Sequence, residues 1–222
     1  FFIPQEALDE GLDPQIKALF LQKLDQLRAL GHTVEIKSLP MLKASLAIYY
    51  TLMPSEVSTN LSRFDGIRFW QQGNTHDYPS LDQYYSAMRA KGFGEEAKRR
   101  ILLGTYILSS ANYESYYLKA LQAQKQLKSD FEDLFNNYDA VLTPTSPEVA
   151  RKIWEKSDNP LKAYLADLYT VPANLAGLPA ISVPMWTISH QEEELPTGLQ
   201  IIWPMRSDQT VLNMAQLIEK LS

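Results

Sequence analysis

The stretch from Asp167 to Pro184, DLYTVPANLAGLPAISVP, limits the possible folds more than any other part of the sequence. Ala176-Gly177-Leu178-Pro179 joins a small-residue helix end to a short β-rich run, Ile181-Ser182-Val183. Glycine closes helices readily and proline cannot continue them, so the junction is a forced change of element. Two more apolar runs, Ala140-Val141-Leu142 and Leu199 to Ile202, are likewise bounded by Pro or Gly. Short runs of this kind read as buried strands, although run length alone does not exclude buried helix. A chain that sets such strands among helical stretches is of the α/β class.

Length agrees with this. At 222 residues, 45% hydrophobic and 21% charged, the chain suits one soluble domain with a real core. No apolar run approaches the roughly 20 residues of a membrane-spanning helix. The opening residues, FFIPQEALDEG, have neither the basic start nor the apolar stretch of a signal peptide. A chain opening on Phe1 instead of Met is expected to be part of something larger. The absence of cysteine removes disulfides, thiolate metal sites and Cys nucleophiles, with a reducing, cytoplasmic setting as the default. A net charge of −5 provides no broad basic field for nucleic-acid phosphates.

Local signals order the elements. Asp13-Pro14 starts a helix, with Asp as the cap and Pro in the first turn, and Ile16, Leu19, Phe20, Leu24 and Leu27 repeat at helical spacing until Gly31. His32 to Leu39 alternates as a strand, and Pro40 closes it. Residues 43–61 predict a helix kinked or broken at Pro54, followed by a polar loop from Arg68 to Pro79. Ser80 with Gln83 forms a capping box for a short helix. From Gly94 to Leu127 the pattern predicts one long helix, weakest at Gly104 and Ser109-Ser110. Ser129 with Glu132 predicts a further short helix, and Asn159-Pro160 and Asp208 are candidate caps for the last two.

General catalytic motifs are absent: no nucleophile elbow, phosphate loop, zincin motif or dinucleotide fingerprint occurs. His32, His76 and His190 are widely spaced and read as solvated, and Glu192-Glu193-Glu194 reads as an exposed loop. No metal ligand set is expected.

Longer blocks carry more. GFGEEAKRRILLGTYILSSANYESYYLKA (Gly92 to Ala120), YYTLMPSEVSTNLSRFDGIRFW (Tyr49 to Trp70), NYDAVLTPTSP (Asn137 to Pro147), the Asp167 to Pro184 run and PTGLQII (Pro196 to Ile202) resemble, in order, the C-terminal portion of the amidase-signature family. Within that family the likeness is to the A subunits of the glutamyl-tRNA(Gln)/aspartyl-tRNA(Asn) amidotransferases. The resemblance implies an α/β fold: the C-terminal half of a mixed, twisted sheet flanked by helices, with a long central helix. Residues 1–222 are then a single domain, a fragment whose nucleophile-bearing N-terminal half is absent.

The same resemblance implies a function. The full subunit would release ammonia from glutamine, and amidotransferase subunits B and C would complete the enzyme that converts Glu-tRNA(Gln) to Gln-tRNA(Gln). ATP and Mg²⁺ would be used by the partner subunit, which would also hold most of the tRNA, so this chain itself needs no cofactor. A free glutamine offers two handles, its α-carboxylate and its α-ammonium. By resemblance Arg100 would take the carboxylate, Asp167 the ammonium, and Tyr49 would line the same pocket. Without the resemblance, Arg99 or Arg100 reads as a helix-surface charge at helical spacing from Glu95 or Glu96, and Asp167 as a polar residue at a helix end. The Ser-Ser-Lys catalytic residues of the family lie in the other half, so no catalytic residue is expected here and Ser109-Ser110 is no substitute. By resemblance Ser55, Glu56, Ser58 and Asn60 would help shape the pocket or the route by which ammonia leaves; the alternative is helix-end and turn hydrogen bonding.

The chain departs from the family at Trp186 and at Trp203-Pro204, where glycine is usual, in the loop Gln71 to Tyr78, and in VARKIWEK (149–156). The two tryptophans would be exposed in loops, at a subunit contact or filling a local pocket. Two alternatives remain: another amidase-signature hydrolase, or a non-catalytic scaffold or binding module.

Overall fold

The computed structural model describes residues 1–9, 11–69, 73–153, 165–190 and 193–220. The candidate cap Asn159-Pro160, Glu192 and residues 154–156 fall outside them. The chain forms two compact units, Phe1–Leu46 with Ala123–Ser222, and Ala47–Gln122.

The first unit is built on a mixed five-stranded sheet. Its strands are β1 (Phe2–Pro4), β2 (Glu35–Lys37), β3 (Val141–Pro144), β4 (Ala180–His190) and β5 (Glu193–Ile202), in the order β2-β1-β3-β5-β4. β1 runs parallel to both neighbours, and β5 is antiparallel to β3 and β4. All three apolar runs are therefore strands. β1 and β3 are buried along their whole length, as expected of central strands. β2 lies at an edge, so Val34, just before it, is buried, while Ile36 is 40% exposed.

β4 and β5 extend well beyond their apolar runs, pairing from Ala180↔Ile202 out to His190↔Glu193. Glu193 and Glu194 are thus exposed strand residues, and the expectation of a loop there is corrected. Trp186 also lies in a strand, at the register shift after Pro184. It is half-buried, and the ammonium of the fully buried Lys23 sits 4.5 Å from its ring centroid. Trp203 is half-buried just beyond β5, donating its backbone N–H to the Pro179 carbonyl at 3.0 Å.

Helix α1 (Pro14–Ala29) starts where Asp13 predicts: Asp13 Oδ1 accepts from the N–H of Gln15 at 2.7 Å and of Ile16 at 3.3 Å. Ile16, Phe20, Leu24 and Leu27 are buried, and α1 packs on β3 and β4. The terminal helix, Asp208–Glu219, lies on β4 and β5 with Val211, Ala215 and Ile218 inward, and its cap is Ser207, one residue before Asp208. Each large aliphatic or aromatic side chain among these contributes about 1.5–3 kcal/mol on burial.

The second unit is helical. Helix α2 (Met41–Asn60) enters it from the first unit and passes through Pro54 without a break. α3 (Leu81–Gly92) begins at Ser80, whose Oγ accepts from the Gln83 N–H at 3.3 Å. α4 covers Glu95–Ile107, a π-helical turn covers Tyr113–Leu118, and α5 (Lys119–Leu134) carries the chain back into the first unit, which resumes at Ala123. The expected long central helix is therefore three pieces. Its interruption has a local cause: Ser109 Oγ donates to the Tyr106 carbonyl at 2.7 Å, and Asn112 Nδ2 donates to the same carbonyl at 3.1 Å. Side chains thus take a carbonyl that a continuing helix would use. The Ser129 capping box does not operate, because α5 runs through it. Leu127, Phe131 and Leu134 keep one face buried across that point, and no Gly or Pro stops the turn.

Candidate functional site

The second unit brings Tyr49 and Arg100 together. Tyr49 and Met53 lie one turn apart on α2, and Glu96 and Arg100 one turn apart on α4, so each pair shares a helix face. Arg100 Nε donates to Glu96 Oε1 at 2.8 Å, and Nη1 points at Met53 Sδ at 3.3 Å. The Tyr49 hydroxyl reaches the same guanidinium. Arg99 bonds the other oxygen of Glu96. Partial burial works against the charge on Arg100, but Glu96 and then Tyr49 outweigh it and raise its pKa. The hydrogen bond from Arg100 holds Glu96 below the usual carboxylate range.

This geometry decides what the guanidinium can do. Glu96 occupies the Nε edge and fixes the plane, while a thioether, a weak acceptor, faces Nη1. The side chain is 30% exposed. An entering carboxylate can therefore replace a weak partner with a charge-assisted pair without disturbing the Glu96 bond. Glu96 is the helical-spacing partner that the surface-charge reading of Arg100 expects, and the same bond fixes the plane of the guanidinium. Met53 carries no motif of its own, and its place one turn after Tyr49 is the one sequence signal for it.

The polar cluster on α2 bonds mainly to its own helix. Ser55 Oγ donates to Thr51 O at 2.8 Å, and Ser58 Oγ to Ser55 O at 2.9 Å. Ser58 and Pro54 also border Gly104 of α4, where an added Cβ would lie 2.7 Å from Ser58 Oγ and inside contact with the Pro54 carbonyl. The glycine is what allows α2 and α4 to approach closely enough for Arg100 to meet Tyr49 and Met53.

Asp167 belongs to the first unit. It is half-buried in the turn that leads into helix α6 (Val171–Ala176), and its carbonyl accepts from the Thr170 N–H at 3.2 Å and the Val171 N–H at 3.1 Å. Two residues on, Tyr169 is fully buried, its hydroxyl donating to the Ala7 carbonyl at 3.0 Å. Gln200, a buried amide in the apolar run of β5, donates through Nε2 to the Tyr169 carbonyl at 2.7 Å and to Thr143 Oγ1 at 2.9 Å. Motif reading passes over Gln200 and Thr143. A polar side chain inside an otherwise apolar strand is the signal that points to them, since buried polar groups must be satisfied.

Comparison with known proteins sharpens these observations. The family model described as Amidase matches residues 3–212. The chain belongs to the amidase family. Among its relatives, the number 2 form of the glutamyl-tRNA(Gln) amidotransferase A chain of Clostridium acetobutylicum is 43% identical over 98% of this chain and 45% of its own length. The corresponding protein of Streptococcus pneumoniae is 45% identical over 98% of this chain and 43% of its own. The crystal structure of the same amidotransferase component from Thermotoga maritima superposes with a TM-score of 0.73 at 38% identity, over 100% of this chain and 42% of that one. A further amidase crystal structure, 20% identical with a TM-score of 0.72, shares the fold. This amidase-family chain thus spans a little under half the length of the relatives it matches. Among its described residues no cluster of His, Asp or Glu could hold a metal ion, and no helix is long and apolar enough to cross a membrane.

Proposed function

We propose that this chain is the substrate-recognising portion of a single amidase domain, within a larger protein that releases ammonia from glutamine for the amidation of Glu-tRNA(Gln). The observation that carries the reading is the Arg100 guanidinium, oriented by Glu96, touched by Tyr49 and facing a thioether at Nη1. Arg100 binds the α-carboxylate of glutamine and Tyr49 lines its pocket. Asp167 takes the α-ammonium, an assignment that rests on its match to the family motif. The relatives' names supply the reaction class, since each is a component of a glutamyl-tRNA(Gln) amidotransferase.

The nucleophile and its activating residues come from the part of the relatives' length that this chain does not cover, so the chain alone is inactive. Subunits B and C complete a cytoplasmic enzyme, and the partner that binds ATP and Mg²⁺ also holds the tRNA. The net charge of −5 fits a chain that does not grip nucleic acid itself.

The test is glutamine hydrolysis by the assembled enzyme carrying the full-length protein. Arg100→Ala raises the KM for glutamine on the order of 10–100-fold, the size of a lost hydrogen-bonded charge contact, with a smaller effect on kcat. Arg100→Lys recovers only part of this, because a point charge cannot replace a planar fork. An unchanged KM in Arg100→Ala removes the carboxylate assignment.

A further inference from the structure

Gln200 is among the most thoroughly buried polar side chains of the first unit, at 4% exposure. Its amide orientation is fixed by chemistry. The Tyr169 carbonyl can only accept, so the NH₂ end must face it, and the same nitrogen reaches Thr143 Oγ1 directly across the β3–β5 ladder. Thr143 itself is 1% exposed.

The effect is to clamp one short turn. Tyr169 is held at both ends, its carbonyl by Gln200 of β5 and its hydroxyl by the Ala7 carbonyl beside β1. The Asp167 carbonyl is in turn bonded by the Thr170 N–H, the Thr170 hydroxyl at 3.2 Å and the Val171 N–H. Asp167 therefore stands on a turn whose backbone is tied to the sheet and to the start of α6. The ties made by Gln200 and by the Tyr169 hydroxyl are buried, where an unmade hydrogen bond is costly.

We infer that Gln200 is a positioning residue: through Tyr169 it fixes the Asp167 turn, and so sets how strongly the enzyme prefers a substrate bearing an α-ammonium. The inference rests on the assignment of Asp167 to that ammonium. Both Gln200 donor bonds go to Tyr169 and Thr143, so the residue acts through the turn, and Thr143 serves it by orienting the carboxamide.

The readout is a preference, not activity alone. The assembled enzyme with the full-length protein is assayed for kcat/KM on glutamine and on glutaramic acid, which keeps the amide and the carboxylate but lacks the α-ammonium. Gln200→Met preserves length and removes both donors. It is expected to lower the glutamine-to-glutaramate ratio about tenfold, the effect of one misplaced charged hydrogen bond, while kcat on glutaramate stays within about twofold. A general folding defect would depress both substrates alike and leave the ratio intact, and an intact ratio overturns the inference. Asp167→Asn separates the two claims. If it lowers the ratio and Gln200→Met does not, the positioning role is overturned and the ammonium assignment stands. If Asp167→Asn leaves the ratio unchanged, the ammonium assignment itself fails and the positioning role fails with it. Should Gln200→Met not fold, Thr143→Val supplies the test: a lowered ratio supports the inference, and an unchanged one overturns it.

Discussion

Glu96 and Gly104 show how much of the arrangement around Arg100 depends on single residues. The Glu96 carboxylate is 47% exposed, so its pairing with Arg100 and Arg99 is screened and adds little stability. Its value lies in holding the guanidinium plane. Gly104, one turn after Arg100, matters by what it lacks. An alanine there gains about 1 kcal/mol of helix propensity over glycine. It also drives a Cβ into the Pro54 carbonyl and to 2.7 Å from Ser58 Oγ. A backbone carbonyl cannot rotate away, and overpacking of this kind costs about 1–3 kcal/mol, with this contact at the upper end. The clash wins. Gly104→Ala is expected to lower the urea-unfolding free energy of the full-length protein by about 1–2 kcal/mol and to weaken glutamine binding, because α2 and α4 must separate. A more stable variant with unchanged glutamine KM would show that the close approach is not needed.

Helix α6 makes the same point for an element. It is six residues long, too short to be stable on propensity, and it persists because Val171, Ala173, Leu175 and Ala176 are buried and its end is closed. The closure is a Schellman arrangement: the Leu178 N–H donates to Ala173 O at 2.9 Å and the Gly177 N–H to Asn174 O at 3.3 Å, with Gly177 at φ +72°. A Cβ at Gly177 meets nothing nearer than Met205 Cε at 3.9 Å. Gly177→Ala therefore tests conformation without a clash, and about 1 kcal/mol of destabilisation is expected in chemical denaturation, against none if the left-handed residue is unimportant. Signals of this local kind are legible in the sequence. Asp13, Ser80 and Gly177 act through hydrogen bonds or torsions within a few residues, and each stands at the boundary of its element. What is not legible depends on partners far along the chain. The outer half of the β4–β5 hairpin is mostly polar, and it is a strand because each edge satisfies the other's backbone groups. Ser129 carries a capping signature inside a helix that packing keeps continuous. Arg100, Tyr49 and Asp167 stand out only by likeness to a family. Met53 and Gln200 carry only a faint signal, a place one turn after Tyr49 and a polar side chain in an apolar strand, because a thioether and an amide acquire meaning only when a distant atom is brought to them.

Across the molecule as a whole, a marginal balance of large terms makes a few buried polar groups count heavily. Tyr169 is the clearest case, joining the Asp167 turn, β5 through Gln200, and the β1 end of the sheet through Ala7. Burial pushes its phenol up to about 12, and the charge of Asp9 adds to the rise. The folded state thus favours the neutral phenol more than the unfolded chain does. The stability gained is fully present below the unfolded value near 10 and is lost as pH climbs through the folded value near 12. At about pH 11.5 the expected loss from this one group is about 2 kcal/mol, a sizeable share of a typical domain's stability. Replacing the phenol with Tyr169→Phe costs about 1 kcal/mol at neutral pH, through the lost bond to the Ala7 carbonyl, and removes the alkaline sensitivity. The measurement is the urea midpoint of the full-length protein, taken near pH 8 and again near pH 11.5. Wild type is the more stable protein at the lower pH, and the gap between the two proteins closes or reverses at the higher. Other tyrosines and lysines titrate in both, so only the difference between the two proteins is informative. A gap that stays constant from pH 8 to pH 11.5 would mean that the Tyr169 hydroxyl is not held neutral by the fold, and that the clamp on the Asp167 turn is looser than these hydrogen bonds imply.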